Sequence, residues 1–168
     1  MPTPPPRPRP CADPDCRGQH APSERVALAT AICRERGVQM TALRRSILEL
    51  LWADRGPTSA YELMEALKRR DSRVVGPPTV YRALDFLRAQ GLVSKVESLN
   101  AYVPCIHPER DHDCLFFICR DCRTLVEFED PRIAALLAED AAGFGFVATR
   151  RTVEVEGSCA RCAEAGPA

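Results

Sequence analysis

Two pairs of cysteines near the end of the chain have the spacing of metal ligands. The pairs are Cys119-x-x-Cys122 and Cys159-x-x-Cys162, with 36 residues between them. Each pair can place two thiolates on one ion from a tight turn, and two pairs complete the tetrahedral sulfur shell that Zn²⁺ prefers. The spacing therefore predicts a structural zinc that pins the end of the chain to the start of its own domain. The alternative is a redox-active dithiol, but a thiol oxidoreductase does not need the second pair.

A second group of possible metal ligands lies just upstream of the first pair. It consists of Cys105, His107, His112, Asp113 and Cys114, and includes two of the chain's three histidines. Together with Glu127 it offers the mixed nitrogen, oxygen and sulfur ligands that suit Zn²⁺ or a similar divalent ion. The alternative is a polar loop, because residues 108–111 have the composition of turns. We favour a metal site whose ligand set the residues alone leave open.

The composition indicates a soluble, globular protein. Of 168 residues, 45% are hydrophobic and 27% are charged, which argues against a disordered or fibrous chain. The sequence has neither an apolar run near the ~20 residues that span a bilayer nor an N-terminal secretory signal. We therefore expect a cytoplasmic protein without a membrane partner. In that reducing compartment, nine cysteines favour metal binding over disulfides.

A net charge of zero hides an asymmetry between the two halves of the chain. Residues 23–98 carry thirteen Lys and Arg against nine Asp and Glu, a net charge of +4. Residues 99–168 carry seven against twelve, a net charge of −5. The first half is therefore suited to a polyanion and the second half to a cation.

The elements that position these residues begin after a proline-rich tail, residues 1–22, which is too poor in apolar residues to form a core. Its Cys11, Cys16 and His20 are only weak evidence for a metal site. Helical periodicity with N-cap and C-cap signals then predicts three or four short helices up to residue 90, followed by a two-stranded hairpin over residues 92–103. This order is typical of a winged helix-turn-helix, which presents the helix before the wing to the DNA major groove.

The last third of the chain predicts strand, strand, helix and strand, with the final strand over residues 146–155. The predicted fold is therefore α+β: a winged-helix domain over residues 23–104, followed by a small α/β dimerisation domain over residues 105–168 that contains the four-cysteine zinc site. A module of this size is expected to need a metal or a partner subunit for stability. The chain contains no nucleophile–base pair, phosphate-binding glycine loop or paired catalytic acids, so we expect no enzyme activity.

Three features resemble the ferric-uptake-regulator family, and within it most closely the zinc uptake regulators. They are the run PPTVYRALDFL at residues 77–87, the run KVES at residues 95–98 with its continuation to Cys105, and the two cysteine pairs. The resemblance extends from about Glu24 to Cys162. It implies a homodimer that binds operator DNA and represses transcription when it is loaded with metal.

The resemblance also implies two zinc ions per chain. One is structural, on Cys119, Cys122, Cys159 and Cys162, in agreement with the spacing. The other is regulatory, at the hinge between the domains, with ligands at Cys105, His112 and Glu127 and at a histidine of the wing. The wing position is Ser94 here, and a hydroxyl is a poor zinc ligand. We expect His107 to take the fourth place, with Cys114, Asp113 or water as alternatives; a third metal site stays open.

For DNA, the positions that match the family's contact residues are Tyr81 and Arg82 on the recognition helix and Tyr61 on the helix before it. Six basic residues are candidates for phosphate contacts: Arg44, Arg45, Lys68, Arg69, Arg70 and Arg73. The alternatives to a zinc-responsive repressor are an iron- or peroxide-responsive member of the same family, a thiol oxidoreductase, and a metal buffer without specific DNA binding. Cysteine in the sensor site favours zinc.

Overall fold

A computed structural model gives the structure of the protein and describes residues 21–54, 56–71, 74–109, 115–148 and 151–165. The chain divides into two compact units, of which the described parts lie between residues 21 and 109 and between residues 115 and 165. Both units combine helices with a small sheet, so the predicted α+β class is confirmed. The domain limits predicted at residues 22 and 104 stay predictions. Within the described ranges, each helix is too short or too polar to cross a membrane.

The described part of the first unit contains four helices that begin at the signals found in the sequence. They are α1 (Pro22–Glu35), α2 (Ala42–Ala53), α3 (Ala60–Asp71) and α4 (Pro77–Ala89). The Thr41 hydroxyl caps α2 by accepting a hydrogen bond from the Arg44 backbone N–H at 3.4 Å. A capping box opens α3, since the Glu62 carboxylate accepts from the Ser59 N–H at 2.7 Å and the Ser59 hydroxyl accepts from the Glu62 N–H at 3.2 Å. Two prolines start α4, where their missing N–H groups are not needed.

Glycine in the left-handed conformation ends α1 and α4. Gly37 has φ +67° and Gly91 has φ +66°, a region that side chains with a Cβ avoid. In each case the next N–H closes the helix: Val38 donates to the Cys33 carbonyl and Leu92 to the Leu87 carbonyl, both at 2.9 Å. Helix α4, the predicted recognition helix, therefore ends just before the wing, as the sequence predicted.

The wing is a three-stranded sheet. Strands β2 (Val93–Val96) and β3 (Ala101–Pro104) pair antiparallel, with Ser94 opposite Val103. A two-residue strand, β1 (Thr58–Ser59), pairs with the other edge of β3 and was not predicted from the sequence. Four helices followed by this wing confirm the winged helix-turn-helix.

The core of the first unit is formed by the apolar faces of the helices and the inner side of the wing. Cys33 on α1 is buried in it, as expected of a small hydrophobic side chain. The other fully buried residues in this unit include Ile47, Leu48, Leu51, Leu63, Leu67, Val80, Leu84, Leu87 and Val96.

The second unit is built on a three-stranded sheet with strand order β5-β4-β6. Its strands are β4 (Leu115–Cys119), β5 (Leu125–Phe128) and β6 (Val153–Gly157), and its helices are α5 (Pro131–Gly143) and α6 (Ala160–Ala165). Strand β5 pairs antiparallel with β4, whereas β6 pairs parallel with β4 on its other edge. The final strand begins at Val153 rather than at the predicted residue 146, and α6 was not predicted.

Candidate metal centre

Parallel pairing brings the two cysteine pairs to one edge of the sheet. In the β4–β6 register, Leu115 lies opposite Val153 and Cys119 opposite Gly157. The carboxyl ends of two adjacent parallel strands meet at the same edge, so the chain after Cys119 and the chain after Gly157 start side by side. The 36 residues between the pairs contain the connection that a parallel crossover requires.

The four thiols form one cluster. The sulfur atoms of Cys119, Cys122, Cys159 and Cys162 all lie within 4.8 Å of one another. The Sγ atoms of Cys122 and Cys159 are 3.7 Å apart. Four thiolates at the usual Zn–S distance of about 2.3 Å in a tetrahedron have sulfur atoms about 3.8 Å apart. The cluster therefore has the composition and dimensions of a structural zinc site.

Hydrogen bonds prepare this cluster to hold negative charge. The Cys159 backbone N–H donates to Cys119 Sγ at 3.3 Å, and the Thr124 hydroxyl lies 3.2 Å from Cys122 Sγ. The pKa of the Cys122 thiol is lowered to about 5, chiefly by its hydrogen bond with the Thr124 hydroxyl. Backbone N–H groups, first that of Cys122 and then that of Cys159, lower the pKa of Cys119 as well.

Neighbouring thiols have the opposite effect on the last of the four cysteines. Hydrogen bonding with Cys159 and then with Cys122 raises the pKa of the Cys162 thiol to about 12. The Arg161 guanidinium has a raised pKa because it hydrogen-bonds to Cys122. Four neighbouring thiolates repel one another. A divalent cation at the centre would offset this repulsion by stabilising all four thiolates. Thr124 and Arg161 were missed in the sequence because only the fold shows that they contact sulfur.

The loop after the wing contains two of the predicted regulatory ligands. Cys105 is 3% exposed and directly follows β3, and its N–H donates to the Leu92 carbonyl at 3.0 Å. His107 is half-buried, and its Nδ1 lies 3.1 Å from Glu109 Oε1. With Nδ1 held by a carboxylate, Nε2 is the nitrogen of His107 that suits a metal. The other candidates of this region, His112, Asp113 and Cys114, lie outside the described residues.

Glu127 belongs to the second unit and lies in β5. It is opposite Phe116 of β4 and only 5% exposed. Burying a carboxylate costs free energy unless the group is paired, hydrogen-bonded or bound to a cation. Glu127 is the one buried acid among the described residues, and its type and burial suit a metal ligand.

The three predicted DNA-contact residues are on the surface of the first unit. Tyr61 on α3 is 71% exposed and Tyr81 on α4 is 43% exposed, so neither ring belongs to the core. Arg82 is exposed beside Tyr81, while its neighbours Val80 and Ala83 are buried. The outer face of α4 is therefore available for a partner.

Two of the six basic candidates for phosphate contacts have partners within the protein. The Arg44 guanidinium lies 3.4 Å from the centroid of the Phe86 ring, and it donates to the Gln39 carbonyl at 2.6 Å. Arg70 forms an ion pair with Glu49 at 3.0 Å. Arg73 lies outside the described residues. The remaining three are at least partly exposed: Arg45, Lys68 and Arg69.

Comparison with known proteins places the chain in a family. A model of the ferric uptake regulator family matches residues 35–156. The zinc uptake regulation protein of Escherichia coli (strain K12) is 39% identical over 142 residues, which cover 84% of this chain and 82% of that protein. The chain belongs to the ferric uptake regulator family. Another member, the zinc uptake regulation protein of Mycobacterium tuberculosis (strain ATCC 25618 / H37Rv), is 33% identical over 129 residues, 75% of this chain and 95% of that protein.

The structure supports the same placement. A solved structure of a zinc uptake regulator complexed with zinc and DNA matches with a TM-score of 0.82 and 37% identity, covering 87% of this chain and 97% of that one. The predicted likeness to the zinc uptake regulators is confirmed. Because members of the family regulate transcription and are not enzymes, the expectation of no enzyme activity is also confirmed and the thiol oxidoreductase is excluded.

Proposed function

We propose that this protein is a zinc-responsive transcriptional repressor that controls zinc uptake genes in the cytoplasm. It binds operator DNA as a homodimer when a regulatory Zn²⁺ is bound, and a second Zn²⁺ on the four clustered thiols is structural. The observation that carries the proposal is the likeness, over nearly the whole chain, to a regulator solved with both zinc and DNA.

The structural zinc is supported by the geometry of the sulfur cluster. Cys119, Cys122, Cys159 and Cys162 supply four thiolates at the separations of a tetrahedral site. Iron-sulfur clusters also use four cysteines, but the zinc uptake regulators that this chain resembles favour Zn²⁺.

For the regulatory zinc we propose the ligands Cys105, His107, His112 and Glu127. Cys105 and His107 belong to the first unit, whereas Glu127 belongs to the second, so an ion bound by all of them links the two units chemically. Shifting the protein from 1% to 99% in its DNA-binding arrangement requires about 5.5 kcal/mol of preferential zinc binding. Thiolate and imidazole ligands can supply this amount.

The dimer is supported by apolar side chains that the second unit does not bury. Helix α5 has no buried residue, although Ile133, Leu136 and Leu137 have the i, i+3, i+4 spacing of an apolar face. Phe117, stacked on Phe128 at 4.5 Å between ring centroids, is about half exposed. Among the described residues of this unit, the large exposed apolar ones are Phe117, Leu136, Leu137, Phe144, Phe146, Val147 and Val155. Such a surface is suited to a second copy of the chain.

The reading of bases is expected to depend on Arg82. An arginine on the exposed face of α4 can donate two hydrogen bonds to guanine O6 and N7 in the major groove. Arg82→Ala is expected to weaken binding to the operator by about 1–3 kcal/mol and to change binding to random DNA little. The measurement is a fluorescence-anisotropy titration of both duplexes at one salt concentration, with Arg34→Ala on the exposed side of α1 as the matched control. Equal losses on both duplexes would remove the base-reading role.

A zinc titration of DNA binding tests the proposed function as a whole. Protein dialysed against a moderate chelator is expected to retain one Zn²⁺ per chain and to bind a palindromic operator only after a second equivalent is added. Activation by Fe²⁺ but not by Zn²⁺ would keep the family and overturn the sensed metal. Zinc binding without any effect on operator affinity would indicate a metal buffer.

A further inference from the structure

One side chain of α1 holds the loop that carries Cys105 and His107. Arg25 Nη1 donates a hydrogen bond to the Ile106 carbonyl at 2.9 Å, a contact between residues 81 positions apart. Ile106 is the residue between the two proposed ligands, and it is itself buried. The Arg25 contact therefore fixes the middle of the Cys105-x-His107 segment.

The guanidinium of Arg25 is itself held in place. It lies over the ring of Trp52, 5.4 Å from the ring centroid, and Trp52 is buried at the end of α2. A cation above an indole face is attracted by the ring's quadrupole, most strongly where water is excluded. The loop is thus attached to α1 and α2 through Arg25, and to the start of the wing through the Cys105 N–H and the Leu92 carbonyl.

These contacts fix the parts of the loop that decide where the two ligand atoms lie. The bond at the Cys105 N–H sets the peptide before the thiol, and the bond at the Ile106 carbonyl sets the peptide plane before His107. Two ligands at i and i+2 can reach one ion only in a limited range of backbone conformations. Holding that conformation before the metal arrives reduces the conformational entropy that binding must otherwise remove.

We propose that Arg25 is a positioning residue for the regulatory zinc: it preorganises the Cys105-x-His107 chelate from the helix α1. The inference rests on the proposed function, since it concerns the same site. It adds a residue that does not touch the ion, and it connects zinc affinity to a helix that carries no ligand.

We expect the loss of Arg25 to affect the zinc site more than the stability of the fold. Arg25 Nε is buried and has no hydrogen-bond acceptor among the described residues. Removing the guanidinium therefore takes away one hydrogen bond and one ring contact but also relieves an unsatisfied buried donor. The variant should consequently bind zinc more weakly while its melting temperature changes little.

The test is a competition titration of the full-length protein, with its structural zinc loaded, using Zn²⁺ against a chelator of known affinity. Arg25→Met is expected to weaken the regulatory site about tenfold, the lower end of the effect of residues that orient metal ligands. Arg25→Lys keeps a charged donor but loses the planar guanidinium over Trp52, so it should weaken the site by an intermediate factor of about threefold. Arg34→Met, on the exposed side of α1, is the matched control and should change nothing. Operator affinity at saturating zinc should be unchanged in all three variants.

Two results would overturn the proposal. The first is an unchanged zinc affinity in Arg25→Met while Cys105→Ser weakens the site. The second is a lower melting temperature of Arg25→Met together with equal losses of zinc affinity and of operator affinity at saturating zinc. That combination would indicate general destabilisation. If Cys105→Ser also leaves zinc binding intact, the regulatory site itself is misassigned, and the proposed function fails independently of Arg25.

Discussion

Cys159→Ser is expected to release the structural zinc and to unfold the second unit, while the first unit stays folded. The second unit has little else to stabilise it, since its described residues bury only three apolar side chains besides the ligand Cys119, and α5 buries none. Structural zinc contributes about 10–16 kcal/mol of apparent binding free energy, which equals or exceeds the stability of most domains. A serine leaves three thiolates and a weak hydroxyl ligand, so most of this stabilisation is lost.

Zinc content, oligomeric state and fluorescence together measure this effect. After dialysis against a moderate chelator, the variant should contain no tightly bound zinc and should elute as a monomer. Trp52, the single tryptophan, is buried in the first unit, so its emission should keep the folded value. Cys105→Ser is the matched control, because it removes a thiol outside the cluster and should retain the structural ion. A Cys159→Ser protein that keeps both its zinc and its dimer would contradict a structural role.

The sequence predicted the first unit well because its signals are local. Thr41, the Ser59 and Glu62 box, and the left-handed Gly37 and Gly91 each act within four or five residues of their own position. A short-range pattern is sufficient to place such elements. The two-residue strand β1 was missed because it exists only through its pairing with β3, which lies more than 40 residues further along the chain.

In the second unit, the sequence predicted which residues cluster but not how. The spacing identified all four cysteines, whereas the parallel pairing of β4 with β6 that brings them together is a long-range feature. The same pairing decides that the last strand begins at Val153, although apolar residues from Phe146 onward suggested an earlier start. Arg44 illustrates the opposite limit: its charge suggested a phosphate contact, and only the fold shows its contact with Phe86.

Cys105→Ser is expected to abolish the zinc response of DNA binding and leave the structural zinc in place. Exchanging a thiolate for a hydroxyl removes the strongest ligand of the proposed regulatory site. If zinc supplies about 5.5 kcal/mol to the DNA-binding arrangement, losing most of it should weaken operator binding at least about 100-fold at the zinc concentration that saturates the parent protein. An operator titration at fixed free zinc measures the loss. Full zinc activation in Cys105→Ser would exclude this residue from the site.

The fourth ligand can be tested by moving it. His107→Ala should weaken the zinc response about 10–100-fold if His107 binds the ion.

Ser94 lies opposite Val103, and Cys105 is two residues beyond Val103, so positions 94 and 105 are diagonal neighbours on one face of the wing sheet. A long side chain at position 94 can therefore reach an ion on Cys105, and Ser94→His added to His107→Ala should restore much of the response. His20→Ala, which removes the histidine that the proposal does not use, is the control. If His107→Ala keeps the full response, the fourth place belongs to Cys114, Asp113 or water, and the role of His107 is lost while that of Cys105 stands.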